Sequence, residues 1–222
     1  MAPVDDSPCL DAADKKKVQE VLGTLLFYAR AVDCTMLIAI NAIAAQQANS
    51  TKNTMRKVTK LLNYCATHPE ATVQYKASNM ILWCDSNASY LTAPKARSRG
   101  AGYLYLSNRP KPSDTDSGQG MPMMNGAIHI MCTTMREVMS SASEAKLGSL
   151  FHNGKEVHLL RLALKEVGHA QPPTPIQTDN STAVDIANDA IKQRRSKAIY
   201  MRFYWGLQQV TTGTVPHLLE TW

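Results

Sequence analysis

Three acids in this sequence combine the residue type and the setting that phosphate chemistry needs: Asp85, Glu144 and Asp179. Asp85 closes the short apolar run Met80-Ile81-Leu82-Trp83-Cys84, and Asp179 closes Thr174-Pro175-Ile176-Gln177-Thr178. Both runs read as strands, so both acids are predicted at strand carboxyl ends, the edge where open α/β sheets build their sites. Glu144 falls in a helical pattern and shares a face with Leu147, Gly148 and Phe151, while Lys146 and Asn153 fall on other faces. An acid on an apolar helix face is costly unless it is paired or bound to metal, so its side chain is predicted to project toward the ends of the two strands. Three converging carboxylates repel one another and favour a hard cation with oxygen ligands, Mg²⁺ or Mn²⁺. Two such ions about 4 Å apart can clamp a phosphodiester, one activating water and the other stabilising the leaving oxygen. The spacing alone also permits a plainer reading, in which the aspartates are turn formers and Glu144 is a first-turn acid favoured by the helix dipole.

The elements that must position these acids follow from the hydrophobic pattern. From about 15 to 65, Val18, Val21, Leu22, Leu25 and Leu26, then Met36, Leu37, Ile40 and Ile43, then Val58, Leu61, Leu62 and Cys65 recur at three-and-four spacing. That is a small helical unit, ended at His68-Pro69 because a residue before proline is pushed out of helical geometry. Strands are predicted at 80–84, 102–106 and 127–132, the last two separated by a Pro/Ser/Asp/Gly-rich loop at 107–126 that reads as mobile. Residues 141–168 read as two helices broken near Asn153-Gly154, followed by the strand at 174–178. Asn180-Ser181 can cap a helix running to about Ile191, and a last helix is predicted over 196–209. This order is α/β, with a mixed sheet flanked by helices and preceded by the small helical unit.

Composition bounds the partners. Lys and Arg outnumber Asp and Glu by 24 to 18, a net charge of +6, which favours a polyanionic partner. The basic residues gather at Lys15-Lys16-Lys17, at Arg97 and Arg99, and at Lys192, Arg194, Arg195 and Lys197. The five cysteines are scattered and never spaced as CxxC, which argues against a disulfide framework or a zinc ribbon and for a reducing compartment. Acids near the amino end exclude a secretory pattern there. The longest apolar stretch, 34–45, contains Asn41 and is shorter than the ~20 residues of a membrane span. The expectation is a soluble protein of the cytoplasm or nucleus with no membrane partner.

Several segments, taken in order, resemble the ribonuclease H domain of copia-type retrotransposon polyproteins. They are Trp83-Cys84-Asp85-Ser86-Asn87-Ala88-Ser89-Tyr90, Arg97-Ser98-Arg99-Gly100-Ala101-Gly102-Tyr103, Ser143-Glu144-Ala145, and Thr178-Asp179-Asn180-Ser181-Thr182-Ala183. Arg195-Ser196-Lys197 and Phe203-Tyr204-Trp205 are similar to that family's next helix, and the resemblance spans roughly 73–209. The preceding 15–70, with Gln19-Glu20-Val21-Leu22-Gly23-Thr24-Leu25-Leu26-Phe27-Tyr28-Ala29 and Leu61-Leu62-Asn63-Tyr64, resembles the linker after the reverse transcriptase in the same polyproteins. The resemblance thus divides the chain into a flexible 1–14, a helical linker 15–70 and a ribonuclease H-like domain 73–222. It implies cleavage of the RNA strand of an RNA–DNA hybrid, with Asp85 bridging two metal ions and Glu144 and Asp179 completing the shell of one. The order Asp, Glu, Asp also differs from the Asp, Asp, Glu of integrases. Proofreading-type exonucleases place an acid where Asn87 stands.

The sequence departs from the family at one end. A fourth carboxylate is expected in a segment like Ala-Asp-x-x-Thr-Lys, whereas this chain closes with Thr214-Val215-Pro216-His217-Leu218-Leu219-Glu220-Thr221-Trp222. Tyr200 also stands where the family has Asp, and Glu220 and His217 are substitutes without supporting context. The domain is therefore expected to be incomplete at its carboxyl end, with metal and nucleic-acid binding outlasting cleavage. The polymerase signature Tyr-x-Asp-Asp does not occur, so copying of nucleic acid is not expected.

Arg97, Arg99, Arg194, Arg195 and Lys197 are candidate phosphate contacts, and Asn87, Ser89 and Asn180 candidate sugar contacts, each weighed against an ordinary surface role. Trp83, Phe203, Tyr204 and Trp205 could stack on bases, but their spacing favours the core. His129 and His158 are assigned no chemistry, and Cys84 reads as buried packing. Two rivals stand beside a hybrid nuclease. One is a non-catalytic nucleic-acid-binding remnant of the same fold. The other, a small-molecule α/β enzyme, would need a phosphate loop or a nucleophile elbow, and the sequence has neither.

Overall fold

In the computed structural model, which describes residues 5–108 and 123–181, the chain divides into two units, Met1–Val73 and Gln74–Trp222. The first holds three helices, α1 (Ala12–Ala31), α2 (Leu37–Ala44) and α3 (Lys52–Thr67). Val18 and Leu22 of α1, Leu37, Ile40 and Ile43 of α2, Val58 and Leu61 of α3, and Met36 are buried, as their spacing predicts, with Ala29 beside them, whereas Val21, Leu25, Leu26 and Cys65 are half-buried and Leu62 is exposed. Thr51 caps α3 in a reciprocal pair with Thr54, each hydroxyl accepting the other's backbone N–H. The segment read as flexible is held down from Asp5 onward. Leu10 N donates to Ser50 O at 2.9 Å and Lys52 N to Pro8 O at 2.9 Å. Asp5 accepts from Ser7, Thr51 and Asn53, hydrogen bonds that hold its carboxyl well below the usual range, Ser7 contributing most. The donors at the start of α3 need acceptors, and a partner some forty residues away leaves no local sequence signal.

The second unit carries a four-stranded sheet in the order β3-β2-β1-β4, with β1 (Ile81–Ala93), β2 (Arg97–Ser107), β3 (Ala127–Thr134) and β4 (Ile176–Gln177). β1 pairs antiparallel with β2 and parallel with β4, and β2 pairs antiparallel with β3. The sheet is mixed, as the sequence predicts. One long helix, α4 (Ala142–Glu166), packs on one face, where Leu147, Leu150 and Val157 meet Leu82, Cys84, Leu104 and Ile176. The opposite face carries Ile81, Trp83 and Tyr105, so Trp83 is core, as its spacing suggested.

Two sequence expectations are corrected here. β1 does not stop at Cys84 but runs eight residues past Asp85, to Ala93. Its second half alternates small polar and apolar residues: Ser86 bonds Ser149 of α4, and Ala88 packs near Ala145, so no apolar run marks it. Nor is the helix broken at Asn153-Gly154. Asn153 is fully buried, and its Nδ2 donates to Ser86 Oγ at 2.8 Å and Ala101 O at 2.9 Å, which ties the helix interior to the sheet through the amide's donors, while its Oδ1 has no hydrogen-bond partner among the described residues. Gly100 and Gly102 make that approach possible, since a Cβ on Gly102 would fall 1.9 Å from Asn153 Oδ1. Gly168, at φ +90°, follows the end of α4.

The described residues include no helix long and apolar enough to cross a membrane. All five cysteines are free thiols, and burial raises the thiol pKa of Cys84 well above the ordinary range, the nearby Asp85 charge adding to it. Most of the loop predicted at 107–126, the helices predicted after Ser181, and with them Arg194, Arg195, Lys197, Tyr200, Phe203, Tyr204, Trp205, His217 and Glu220 lie outside the described residues.

Candidate metal and nucleic-acid site

Asp85 sits within β1, not at its end, in register with Tyr103 of β2 and Gln177 of β4. It nevertheless lies level with the carboxyl end of β4, because Gln177 is the last residue of that two-residue strand and Asp179 follows two positions on. Strand alternation puts Asp85 on the face of Ile81 and Trp83, away from α4. Neither of its carboxylate oxygens has a well-formed hydrogen bond. Burial raises its pKa to about 6, and the neighbouring Tyr105 hydroxyl acts in the opposite direction. Tyr105 in turn has its pKa pushed up, by burial first and by the Asp85 charge second.

Glu144 is buried, yet it does not reach the sheet. Its Oε2 accepts from Ser140 N at 2.6 Å and Ser140 Oγ at 2.5 Å, while Ser141 Oγ accepts Glu144 N at 3.1 Å to cap α4. The carboxylate that the helix wheel aimed at the strands is taken by Ser140, the residue just before the helix cap, close to the plainer reading of Glu144 as an acid that serves the helix start. Asp179 is exposed, and its Oδ1 accepts from Lys146 Nζ, which also donates to Asn87 Oδ1. The expected three-acid convergence is therefore not formed. Among the described residues no three His, Cys, Asp or Glu side chains are grouped to hold a metal ion. Asp85 in β1 stands beside the strand that Asp179 follows, and the carboxylate oxygens of Asp85, free of any well-formed hydrogen bond among the described residues, have the chemistry a hard cation takes. In this arrangement Glu144 is committed elsewhere.

Of the basic candidates, Arg99 stands in register with Ser89 and Thr134, on the face that carries Asp85 and Tyr103. Its Nε is buried without a hydrogen-bond partner among the described residues. Arg97 pairs with Ala93 beyond a register shift and is half-buried, as is Asn180. Asn87 is exposed beside Lys146, and its backbone O accepts from Ser149 Oγ at 2.7 Å. His129 faces Glu156 at 3.5 Å across β3 and α4, a partly exposed contact of little energetic weight.

Three residues that sequence reasoning missed position the site. Lys146 was assigned to the wrong side of α4, because a long side chain can turn back along the helix toward a carboxylate. Gln171 completes the approach of β4 to β1: its Nε2 donates to Met80 O at 3.0 Å and its Oε1 accepts Leu82 N at 2.9 Å, as a strand's peptide group would. Arg161 of α4 donates to Gln171 O, Pro172 O and Thr174 Oγ1, and burial lowers its pKa. The only signal for either was a polar side chain on each side of Gly168, the second directly before Pro172-Pro173.

No protein-family model and no curated protein matches the sequence. Among solved structures, LC11-RNase H1 in complex with RNA/DNA hybrid aligns over 62% of this chain and 81% of its own, at 8% identity and a TM-score of 0.42. The N-terminal RNase H domain of a Mycobacterium tuberculosis protein covers 64% and 81%, at 7% identity and a TM-score of 0.40. A foamy viral protease-reverse transcriptase in complex with RNA/DNA hybrid covers 95% of this chain and 27% of its own, at 13% identity and a TM-score of 0.49. These are likenesses of outline, at identities that carry over no activity.

Proposed function

We propose that the second unit is a ribonuclease H-like nucleic-acid module of a copia-type retroelement reverse transcriptase. It binds RNA–DNA hybrid and hydrolyses the RNA strand with Mg²⁺ or Mn²⁺, with cleavage impaired relative to binding. The observation that carries this reading is the pairing of β1 with β4, which brings Asp85, whose two buried oxygens have, among the described residues, only the Tyr105 hydroxyl acting on them, level with the strand that Asp179 follows. The ordered motifs from Trp83 to Ala183 supply the family. Asp85 and Asp179 are the side chains proposed to hold the ion, and Glu144 joins them on leaving Ser140. A bound ion would activate water and neutralise phosphate charge. Arg99, on the face of Asp85, is the proposed phosphate contact nearest in register, with Arg97, Asn180, Arg194, Arg195 and Lys197 extending the surface. Residues 15–70 would be the linker to a preceding polymerase, the rest of the polyprotein the protein partner, and the cytoplasm or nucleus the compartment.

A second reading, binding without cleavage, is favoured by a specific pair of contacts: Ser140 holds Glu144, and Lys146 holds Asp179. One assay separates the two. A labelled RNA–DNA hybrid is incubated with the full chain and with Asp85→Asn, in Mg²⁺ and in Mn²⁺. Cleavage by the parent that the variant lacks is the expected result. Salt-sensitive binding with no hydrolysis by either establishes the second reading, and neither binding nor cleavage refutes both.

A further inference from the structure

Any cation site built on Asp85 and Asp179 has a protein cation at its door. The Lys146 side chain is 13% exposed, against 43% for Asp179, and its ammonium ends between Asp179 Oδ1 and Asn87 Oδ1. Both are hard oxygens of the kind a divalent ion takes as ligands, and the lysine already neutralises the carboxylate. A second cation at the same oxygen would lie within a few ångströms of the ammonium, in a setting where charges interact far more strongly than in bulk water. We propose that Lys146 is an internal counter-ion for Asp179 that competes with divalent metal and sets the metal affinity of this site. The inference rests on the functional reading above only in taking Asp85 and Asp179 as the metal-facing acids. It makes occupancy a contest between ammonium and metal, so that the ion enters as Lys146 withdraws. With Lys146 in place the two acids present a single net negative charge; without it they present two.

The test uses Mn²⁺ alone, titrated into the full chain and followed by the spin-resonance signal of the free aquo ion. Lys146→Met keeps the apolar stem and removes the charge. It is expected to bind Mn²⁺ about tenfold tighter than the parent, or more, as loss of one nearby positive charge implies. Adding Asp179→Asn to that variant should abolish the gain. Equal affinities in parent and Lys146→Met, or a gain that survives Asp179→Asn, overturn the proposal. If Lys146→Met fails to fold, the parent decides: the Lys146 ammonium, followed by nitrogen NMR, is expected to leave its hydrogen bonds as Mn²⁺-free Mg²⁺ is added. An ammonium unmoved at saturating Mg²⁺ overturns the proposal. Hybrid binding in the same preparations separates this inference from the function. A gain in Mn²⁺ affinity without hybrid binding removes only the nucleic-acid reading, and hybrid cleavage with equal affinities removes only the counter-ion.

Discussion

Replacing Asp85 by asparagine should make the second unit more stable at neutral pH. Burial raises this carboxyl from 3.8 to about 6, against the opposing Tyr105 hydroxyl. The folded chain therefore keeps the proton to about pH 6, while the unfolded chain releases it near 3.8. Between those values folding takes up a proton, so the stability this group contributes falls as pH rises through the window and stays low above it. A shift of roughly two units corresponds to ~3 kcal/mol at most. Asp85 is only partly buried, and solvent screening reduces that to about 1–2 kcal/mol. Asparagine keeps the shape and removes the charge. Urea unfolding of parent and variant, with a chelator present, measures the effect. Asp85→Asn should be more stable by about 1–2 kcal/mol near pH 7.5, and the two curves should converge near pH 4. A variant less stable than the parent near pH 7.5, or a gain of the same size at both pH values, would refute the argument that desolvation governs Asp85.

Two further outcomes test what positions the site. Gly102→Ala forces a methyl group to within 1.9 Å of Asn153 Oδ1 and should cost about 1–3 kcal/mol in the same unfolding experiment, as α4 is pushed from the sheet; a neutral result would mean that α4 does not approach β2 so closely. Arg161→Ala removes the donors to Gln171, Pro172 and Thr174, and should speed amide exchange at Cys84, whose N–H donates to Pro175 O, while the β1–β2 ladder keeps its protection.

The sequence made the mixed sheet, the helical first unit and the identity of the apolar strands legible, because burial leaves a mark that residue type reveals: a three-and-four period in helices buried on one face, and an unbroken apolar run in a strand buried on both. Leu82, Cys84 and Leu104 are examples, as are Val18 and Leu22 in the helices. What it hid were contacts made by polar groups between elements distant in the chain. Asn153 looked like a helix breaker because its partners, Ser86 and Ala101, come from other elements. Glu144 had two physically reasonable destinations, and a helix wheel cannot tell a sheet edge from the backbone of Ser140. Lys146 illustrates the limit of wheel geometry, which fixes where a side chain starts but not where four methylenes carry its charge.

The brevity of β4 carries a consequence for the order in which this unit assembles. β1, β2 and β3 follow one another as an antiparallel meander, but the pairing of Cys84 with Ile176 must wait until all of β2, β3 and α4 has been laid down. Long-range parallel contacts of this kind form late, and a ladder two residues long adds little cooperativity once formed. The strand that Asp179 follows is therefore brought level with Asp85 only at the final docking event, and whatever chemistry depends on that pairing is withheld from an unfinished chain. The same delay leaves Cys84 and Asp85 on the outer edge of β1 open to pairing with a strand of another molecule, so the step that completes the site also covers that short stretch of edge.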